Sequence, residues 1–373
     1  MDRAVVDEAI GRILTRIDST IRQPGEGFPH YASPEDGVWI RTPGGDWTGG
    51  FWAGLLWLAS HATGQARYSD EASRWASRLE PRVASKSVFK GFLFWYGAAI
   101  GGALCGNGAA RSLARRGTQA LVQMYNPAAR LIPLGTEAEE ASDVGPCEAN
   151  IDALPGTVAL LLSHGVELNS DEVGRQHLRQ HIALCVRDDG SVCQSASFHP
   201  ADGSLVRRYT HKGFREDSTW GRAQAWGMLG LAQALAWGET ECTDAARRVA
   251  DWWIAHLPSD GVAYWDFDDP AIPDTQRDTS ATAIAAAALL KLARLLPDRG
   301  DVYERAASTS VERMVSGYLT PTGPGDTREA GILTEGCFNR RNDVATRHEL
   351  VWGDYFLFEA LLALGGRVDP CAI

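Results

Sequence analysis

The sequence predicts an all-α protein whose helices form a toroid of helical hairpins, with one small β-hairpin added. Two observations support this prediction. Apolar residues recur at helical spacing through most of the 373 residues. The predicted helices also alternate between two kinds: one is apolar on all sides and must be buried, and the other carries charge on one face and can cover the first. Buried and covering helices in alternation are expected in a ring that closes on itself.

The predicted inner helices are rich in small and apolar residues and nearly free of charge. They span residues 51–62, 92–104, 153–162, 223–236, 281–290 and 355–364. The predicted outer helices have one charged face. They span residues 4–21, 70–84, 110–124, 171–186, 243–256 and 302–318. With six helices of each kind, we expect residues 1–373 to form a single domain.

Residues 190–209 predict a β-hairpin, because two short strand-like runs flank a turn that is rich in Pro, Asp and Gly at 199–203. Several inner helices begin with aromatic or polar residues. In a toroid of this kind the starts of the inner helices lie at one end, so we expect them to build a shared pocket with the hairpin above it.

Composition excludes several classes of function. A net charge of −11 argues against a nucleic-acid surface. No apolar run approaches the roughly 18 residues that span a bilayer, and the first residues have no signal-peptide core, so we expect a cytoplasmic protein with no membrane partner. Seven scattered cysteines without a CxxC pair predict free thiols and no zinc site. The sequence leaves the oligomeric state open.

Five blocks of sequence carry a resemblance to a known family. They are Trp47-Thr48-Gly49-Gly50-Phe51-Trp52, Thr210-His211-Lys212-Gly213-Phe214, Trp220-Gly221-Arg222-Ala223-Gln224-Ala225-Trp226, residues 263–292, and Trp352-Gly353-Asp354-Tyr355. From about residue 47 to 364 the chain resembles the unsaturated glucuronyl hydrolases of glycoside hydrolase family 88. This resemblance implies an (α/α)6 barrel and an enzyme that hydrates the double bond of an unsaturated sugar acid without a cofactor or metal.

Asp152 is the candidate catalytic residue. It lies in Asn150-Ile151-Asp152-Ala153-Leu154-Pro155, which matches the family motif whose aspartate acts as acid and base. One carboxyl can do both tasks if its pKa is raised, so that it starts protonated near working pH. The alternative is an aspartate that only caps backbone amides at the start of a helix.

Three positions depart from the family pattern. Phe89 stands where the family has a second aspartate, Lys212 where it has glutamine, and Gln194 at the approximate position of a histidine. Without the second carboxylate, Asp152 loses a like-charged neighbour that would raise its pKa, although apolar burial beside Phe89 could substitute. A cation at Lys212 would lower that pKa if it reaches the same pocket. The changes suggest a substrate with fewer free hydroxyls or an additional anionic group. Alternatively, Phe89 only packs and Lys212 is a solvated loop residue.

The remaining candidates would bind substrate. The resemblance implies that Arg222 contacts the substrate carboxylate, for which its planar fork is suited. Trp47, Trp220 and Trp226 could stack on an apolar ring face, as could Trp52, or they could be core residues. His211 is retained from the family motif, although a lone histidine more often has a structural role.

Two loops accompany these candidates. The turn at residues 266–270, with Arg277-Asp278, is interpreted as a loop clamp rather than as catalytic groups or a calcium site. Residues 331–349 correspond to a lid-like segment in the family and carry Arg340, Arg341, Arg347 and His348. These charges suit an anionic ligand and equally suit a solvated loop.

Three hypotheses of function follow. The first is an enzyme acting on an unsaturated uronic acid glycoside, a small anionic sugar. The second is a tailoring enzyme of secondary metabolism that performs addition or elimination on a sugar-derived acid. The third is a noncatalytic protein that binds sugar acids. Asp143, Glu148 or Asp217 could replace the missing carboxylate.

Overall fold

The computed structural model describes residues 1–23, 25–139, 144–323, 328–329 and 331–373. Within these residues an inner ring of helices is formed by six segments. They are α2 (Gly49–Thr63), α4 (Lys90–Phe94) continued by α5 (Ile100–Cys105), α7 (Leu154–Ser163), α10 (Gly221–Ala236), α12 (Thr279–Leu295) and α14 (Val351–Leu364). Each packs on the next, and α14 packs on α2, so the ring closes. The prediction of an α/α toroid is confirmed.

The outer helices cover the ring with their apolar faces. They are α1 (Arg3–Arg22), α3 (Ala66–Ser77), α6 (Gly108–Val122), α9 (Asp171–Cys185), α11 (Thr243–His256) and α13 (Gly300–Gly317), and a short α8 (Gly165–Leu168) precedes α9. Burial separates the two kinds as predicted: in α12 every residue from Thr279 to Leu292 is buried, whereas α13 buries only the side that faces the ring.

Two inner helices are less regular than the sequence suggested. A π-helical segment, Trp95–Ala99, joins α4 to α5. The first turn of α7 is interrupted at Pro155 and Gly156, and Gly156 has a φ of 73°. A Cβ on Gly156 would lie 2.7 Å from the carbonyl oxygen of Gly91, so the close approach of α7 to α4 requires glycine here. This interruption separates Asp152 from the regular part of α7.

The predicted hairpin is part of a three-stranded antiparallel sheet. Strands β4 (Ser195–Phe198) and β5 (Leu205–Tyr209) form the hairpin, and β3 (Glu148–Asn150) pairs with the other side of β4. The expectation of only two strands was incomplete, because a three-residue strand has too little periodicity to be recognised. The added strand leads directly into Asp152.

A second three-stranded sheet was missed. It consists of β1 (Phe28–Ala32), β2 (Trp39–Thr42) and β6 (Glu349–Leu350), in the order β2-β1-β6. A signal was present, because Ser33-Pro34-Glu35-Asp36-Gly37 is a typical turn sequence between two short runs of aromatic and apolar residues.

The cysteines are free, as predicted, and four of them are buried. Among the helices of the described residues, none combines the length and the apolar character that crossing a membrane requires.

Candidate active site

A small cavity lies at the end of the barrel where the inner helices begin. This inner cavity has a volume of about 220 Å³. Its walls are Trp47, Phe89, Phe92, Asp152, Lys212, Trp220, Arg222 and Trp226. Of the candidates for catalysis and substrate binding, all but Gln194, His211 and Trp52 are in this wall, so the helix starts share a pocket as expected.

A wider outer pocket, of about 870 Å³, lies beside the inner cavity. It is lined by His30, Asp46, Trp47, Glu139, His211, Lys212, Phe338, Asn339 and Asn342. Trp47 and Lys212 belong to both sets of walls. These two side chains consequently form the boundary between the inner cavity and the outer pocket.

Asp152 lies in a 3-10 turn, Ile151–Ala153, just after β3. Its backbone N–H donates to the side-chain oxygen of Asn150 across 3.0 Å, which holds the turn. The carboxyl oxygen Oδ2 accepts a hydrogen bond of 2.8 Å from Nε2 of Gln194. The other oxygen, Oδ1, is buried and has no hydrogen-bond partner among the described residues. One oxygen is thus held by the protein, while the other remains for a ligand.

Burial raises the pKa of Asp152 to about 7. The hydrogen bond from Gln194 and the charges of Arg222 and His211 act in the opposite direction, and Glu148 adds a smaller rise. Desolvation therefore raises the pKa of Asp152 in place of the like-charged neighbour that this chain lacks. Phe89 at the position of that neighbour led us to expect this effect. A carboxyl of this pKa can exchange a proton near neutral pH.

The alternative role for Asp152, capping a helix, is wrong. No side chain caps α7, whose N-cap residue is Ala153. Asp278, by contrast, does cap a helix: it accepts hydrogen bonds from the backbone N–H groups of Ser280 and Ala281 at the start of α12.

Arg222 is almost fully buried, and protein groups hold one end of its guanidinium. Nη1 lies 2.7 Å from Oδ2 of Asp278 and also donates to the carbonyl oxygen of Cys337. Nη2 donates to the carbonyl oxygen of Phe338 across 2.5 Å. Nε is buried without a partner in the described part of the chain. Of the five N–H donors of an arginine, the Nε donor and one Nη2 donor remain for a ligand.

Lys212 is buried, so its interpretation as a solvated loop residue is wrong. Its Nζ lies 4.4 Å from the ring centroid of Phe338, 5.7 Å from that of Trp220 and 5.8 Å from that of Trp47. Burial, together with the charge of Arg222, holds the pKa of Lys212 well below its usual value. The amine therefore reaches the cavity wall, but its charge is not among the causes that shift the pKa of Asp152.

Phe89 both packs and lines the cavity. Its ring is parallel to that of Phe92 at a centroid distance of 5.9 Å, and it lies 6.2 Å from the ring of Trp47. Trp52 does not take part in this wall, because it packs against Trp75 of α3. Of the two interpretations left open for Trp52, core packing is the one that the structure supports, since its position on α2 faces the outer helices.

Gln194 and His211 are not in the wall of the inner cavity, and His211 lines the outer pocket instead. His211 donates its backbone N–H to Oε1 of Gln194, and its Nε2 lies 2.7 Å from Oε1 of the fully buried Glu148. Of the carboxylates considered as replacements, Glu148 is the one whose charge raises the pKa of Asp152. Asp217 is exposed and paired with Arg215, and Asp143 lies outside the described residues.

The turn at residues 266–270 is a loop clamp, as interpreted. Asp266 accepts from the N–H of Phe214 and the hydroxyl of Ser218, and Asp268 accepts from the N–H of Thr219. In the residues that the structure describes, no group of three or more His, Cys, Asp or Glu side chains could hold a metal ion.

The arginines of the 331–349 segment contact protein groups. Arg340 pairs with Asp343, Arg341 donates to the carbonyl oxygen of Thr210, and Arg347 pairs with Glu335. None of these three guanidinium groups lines the inner cavity.

Sequence reasoning missed three residues around the site. Phe92 was recognised only as the first residue of a helix, and Phe338 only as part of a loop. His30 comes from the unrecognised strand β1, where its Nδ1 lies 2.8 Å from the hydroxyl of Thr48. Burial and the nearby Lys212 lower the pKa of His30 to about 4.

Comparison with known proteins gives consistent relatives. No protein-family model matches the chain. The chain is 31% identical over 372 residues to the unsaturated glucuronyl hydrolase of Bacillus sp. (strain GL1), and the match covers 96% of each protein. It is 26% identical over 373 residues to the unsaturated chondroitin disaccharide hydrolase of Streptococcus pneumoniae (strain ATCC BAA-255 / R6), covering 96% of this chain and 91% of that protein.

Solved structures agree. The crystal structure of the Bacillus sp. GL1 unsaturated glucuronyl hydrolase, a protein described as responsible for the degradation of glycosaminoglycan, superposes with a TM-score of 0.89 at 30% identity over 96% of both chains. A Streptococcus agalactiae structure superposes with a TM-score of 0.91 at 23% identity, which supports the fold alone. The similarity extends over nearly the whole chain, and the helical ring and the buried aspartate before α7 agree with it. The chain therefore belongs to the unsaturated glucuronyl hydrolase family and has its (α/α)6 barrel fold.

Proposed function

We propose that this protein hydrates the C4=C5 double bond of an unsaturated uronic acid that is linked to a further sugar or alcohol, and so releases that group. The observation that carries the proposal is Asp152, a buried carboxyl in the wall of an aromatic cavity, with a pKa raised to about 7 and one oxygen without a partner among the described residues. A protonated carboxyl in such a place can donate a proton to an electron-rich double bond.

The proposed reaction has two steps on one carboxyl. The O–H of Asp152 protonates C4 of the enol ether, which leaves positive charge at C5 and the ring oxygen. The carboxylate then takes a proton from water as the water oxygen bonds to C5. The resulting hemiketal opens, the bond to the leaving group breaks, and the products are an alcohol and a keto acid. Asp152 ends protonated, as it began.

Arg222 is the proposed partner of the substrate carboxylate. Its Nε–H and the remaining Nη2–H can donate to the two oxygens of a carboxylate, while Asp278 and two carbonyl groups hold Nη1 and the other N–H of Nη2. Because the guanidinium is already fixed, little side-chain entropy is lost on binding.

The aromatic wall supports an apolar ring face. Trp47 comes just before α2, Trp220 and Trp226 belong to the start of α10, and all three meet at the cavity. Where the family has a second carboxylate, Phe89 offers no hydrogen-bond acceptor, so we propose a substrate without a hydroxyl group at the place that Phe89 faces.

The direct test is loss of the ultraviolet absorbance of the conjugated double bond when the protein is mixed with a panel of unsaturated uronyl disaccharides. We expect turnover with at least one member, and none with Asp152→Asn. The asparagine variant should still bind the same disaccharide in calorimetry. If folded wild-type protein turns over no disaccharide of the panel, the proposal is contradicted. If Asp152→Asn still turns over substrate, the role of Asp152 is contradicted.

We further propose that the protein works in the cytoplasm as a single domain. Seven free thiols support the reducing compartment, because secreted proteins more often pair their cysteines.

A further inference from the structure

We propose that Gln194 is a positioning residue for this reaction: its amide holds Oδ2 of Asp152, so that the transferable proton resides on Oδ1. The inference deepens the proposed function and rests on it for its catalytic meaning. The arrangement of hydrogen bonds on which it depends can be tested without turnover.

The direction of the hydrogen bonds around Gln194 is fixed by backbone amides. The N–H of Gly213 donates to the hydroxyl oxygen of Thr210 across 2.8 Å. That hydroxyl donates its own proton to Oε1 of Gln194, also across 2.8 Å. The N–H groups of His211 and Lys212 point at the same Oε1, at 2.9 and 3.2 Å. A backbone N–H cannot become an acceptor, so the oxygen of the amide must lie on this side.

The NH₂ group of Gln194 must consequently lie on the other side, where it donates to Oδ2 of Asp152 across 2.8 Å. An oxygen that accepts this bond is the carbonyl-like oxygen of the protonated carboxyl. The proton then belongs to Oδ1, which has no partner among the described residues and belongs to a side chain in the wall of the inner cavity. Gln194 itself is not in that wall.

An amide suits this task because its donor is present at every pH, whereas an imidazole at the same place would change its hydrogen-bonding with pH. The chain Gly213–Thr210–Gln194–Asp152 is also polarised in one direction, which strengthens each bond in it. The other ionisable groups around Asp152 are Arg222 on α10, Glu148 on β3, and His211 and Lys212 in the loop after β5. All four remain in the variants below.

The first experiment is an infrared pH titration of the whole protein, with the spectrum of Asp152→Asn subtracted to isolate the carboxyl stretch of Asp152. In Gln194→Met we expect two changes. The midpoint of the Asp152 titration should rise by about one pH unit, because a bond that stabilises the carboxylate is lost. The carbonyl stretch of the protonated form should move to higher frequency, because its oxygen no longer accepts a hydrogen bond.

A matched control is Gln233→Met. Gln233 is a buried glutamine that accepts from the N–H of Gly156 and donates to the hydroxyl of Tyr96, with no contact to Asp152. Its variant makes the same chemical change elsewhere in the barrel and should leave both the midpoint and the carbonyl frequency unchanged.

An unchanged midpoint and frequency in Gln194→Met would overturn the inference, and so would a midpoint that falls. If the methionine variant does not fold, Gln194→Glu gives the same test. Its Oε1 keeps the three donors, while its second oxygen meets Oδ2 of Asp152, so the pair must share a proton and the midpoint must again rise.

Turnover provides a second readout. Because the reaction starts from protonated Asp152, the fall of kcat/KM at high pH should move to higher pH in Gln194→Met, in step with the infrared midpoint. If the substrate panel is silent while the infrared shifts occur, the proposed function fails and the positioning by Gln194 stands. If turnover occurs and the infrared signal is unmoved, the positioning fails and the function stands.

Discussion

Arg222 and Asp278 form an ion pair in which Nη1 and Oδ2 are 2.7 Å apart and both side chains are almost fully buried. The pair joins the starts of α10 and α12. The second oxygen of Asp278 caps α12 through the N–H groups of Ser280 and Ala281. One carboxylate therefore neutralises the arginine that faces the cavity and also begins the neighbouring helix of the inner ring.

Removing this carboxylate should destabilise the fold strongly. In Asp278→Ala, Arg222 keeps its charge without a buried partner and α12 loses its cap, so the free energy of unfolding should fall by about 3–5 kcal/mol. The control is Asp298→Ala, which removes the exposed partner of Arg247 and should cost far less, because water screens an exposed ion pair. Urea unfolding of the three proteins measures both changes. Equal losses in the two variants would contradict the importance of burial.

The raised pKa of Asp152 predicts how stability depends on pH. In the unfolded chain this carboxyl has its ordinary pKa of 3.8, whereas in the folded protein its pKa is about 7. Well below pH 4 both states are protonated, and no penalty exists. As pH rises from about 4 to about 7, wild type should lose stability relative to Asp152→Asn by about 1.4 kcal/mol per pH unit, and the difference should level off above 7. Urea unfolding across this range measures the difference, and a constant difference would refute the burial of a neutral carboxyl.

Restoring the family carboxylate at position 89 should move the titration of Asp152. In Phe89→Asp, a second carboxyl enters the same cavity wall, and like charges raise the pKa of Asp152. The fall of activity at high pH should therefore shift upward. Phe89→Asn is the matched neutral control: it loses the same aromatic packing, at a cost of roughly 3–5 kcal/mol, but should show no comparable shift. Equal pH profiles in the two variants would count against a like-charge effect.

Lys212 should take up a proton when an anionic ligand binds. Its pKa is held well below the usual value by burial and by Arg222, and a carboxylate in the cavity favours the charged amine. In the Asp152→Asn background, calorimetry with an unsaturated chondroitin disaccharide in two buffers of different ionisation enthalpy measures this uptake. We expect the uptake to disappear when Lys212→Gln is added. The same proton uptake in both proteins would show that another group is responsible.

Much of the barrel could be predicted from sequence because burial on all sides leaves a helix nearly free of charge, as in α12 and α14. The aromatic wall followed from the helix starts, and Asp152 from its motif. The roles of Gln194 and Lys212 could not be predicted, because they depend on which way a loop side chain points. Strand β3 was missed because it has only three residues and pairs with β4, which is distant in sequence. Strands β1 and β2 were overlooked although the turn between them gave a signal. Phe338 was missed because it reaches the outer pocket from a loop, which has no periodic pattern.

The contact of α14 with α2 has a consequence for biosynthesis. The two helices come from opposite ends of the described chain, and the ring is complete only when both are present. During translation, the apolar surface of α2 that packs on α14 stays exposed to solvent until α14 has left the ribosome. Contacts between such distant segments also slow folding. We therefore expect nascent chains that lack α14 to bind chaperones and to be degraded rapidly, although most of the cavity wall has already been synthesised.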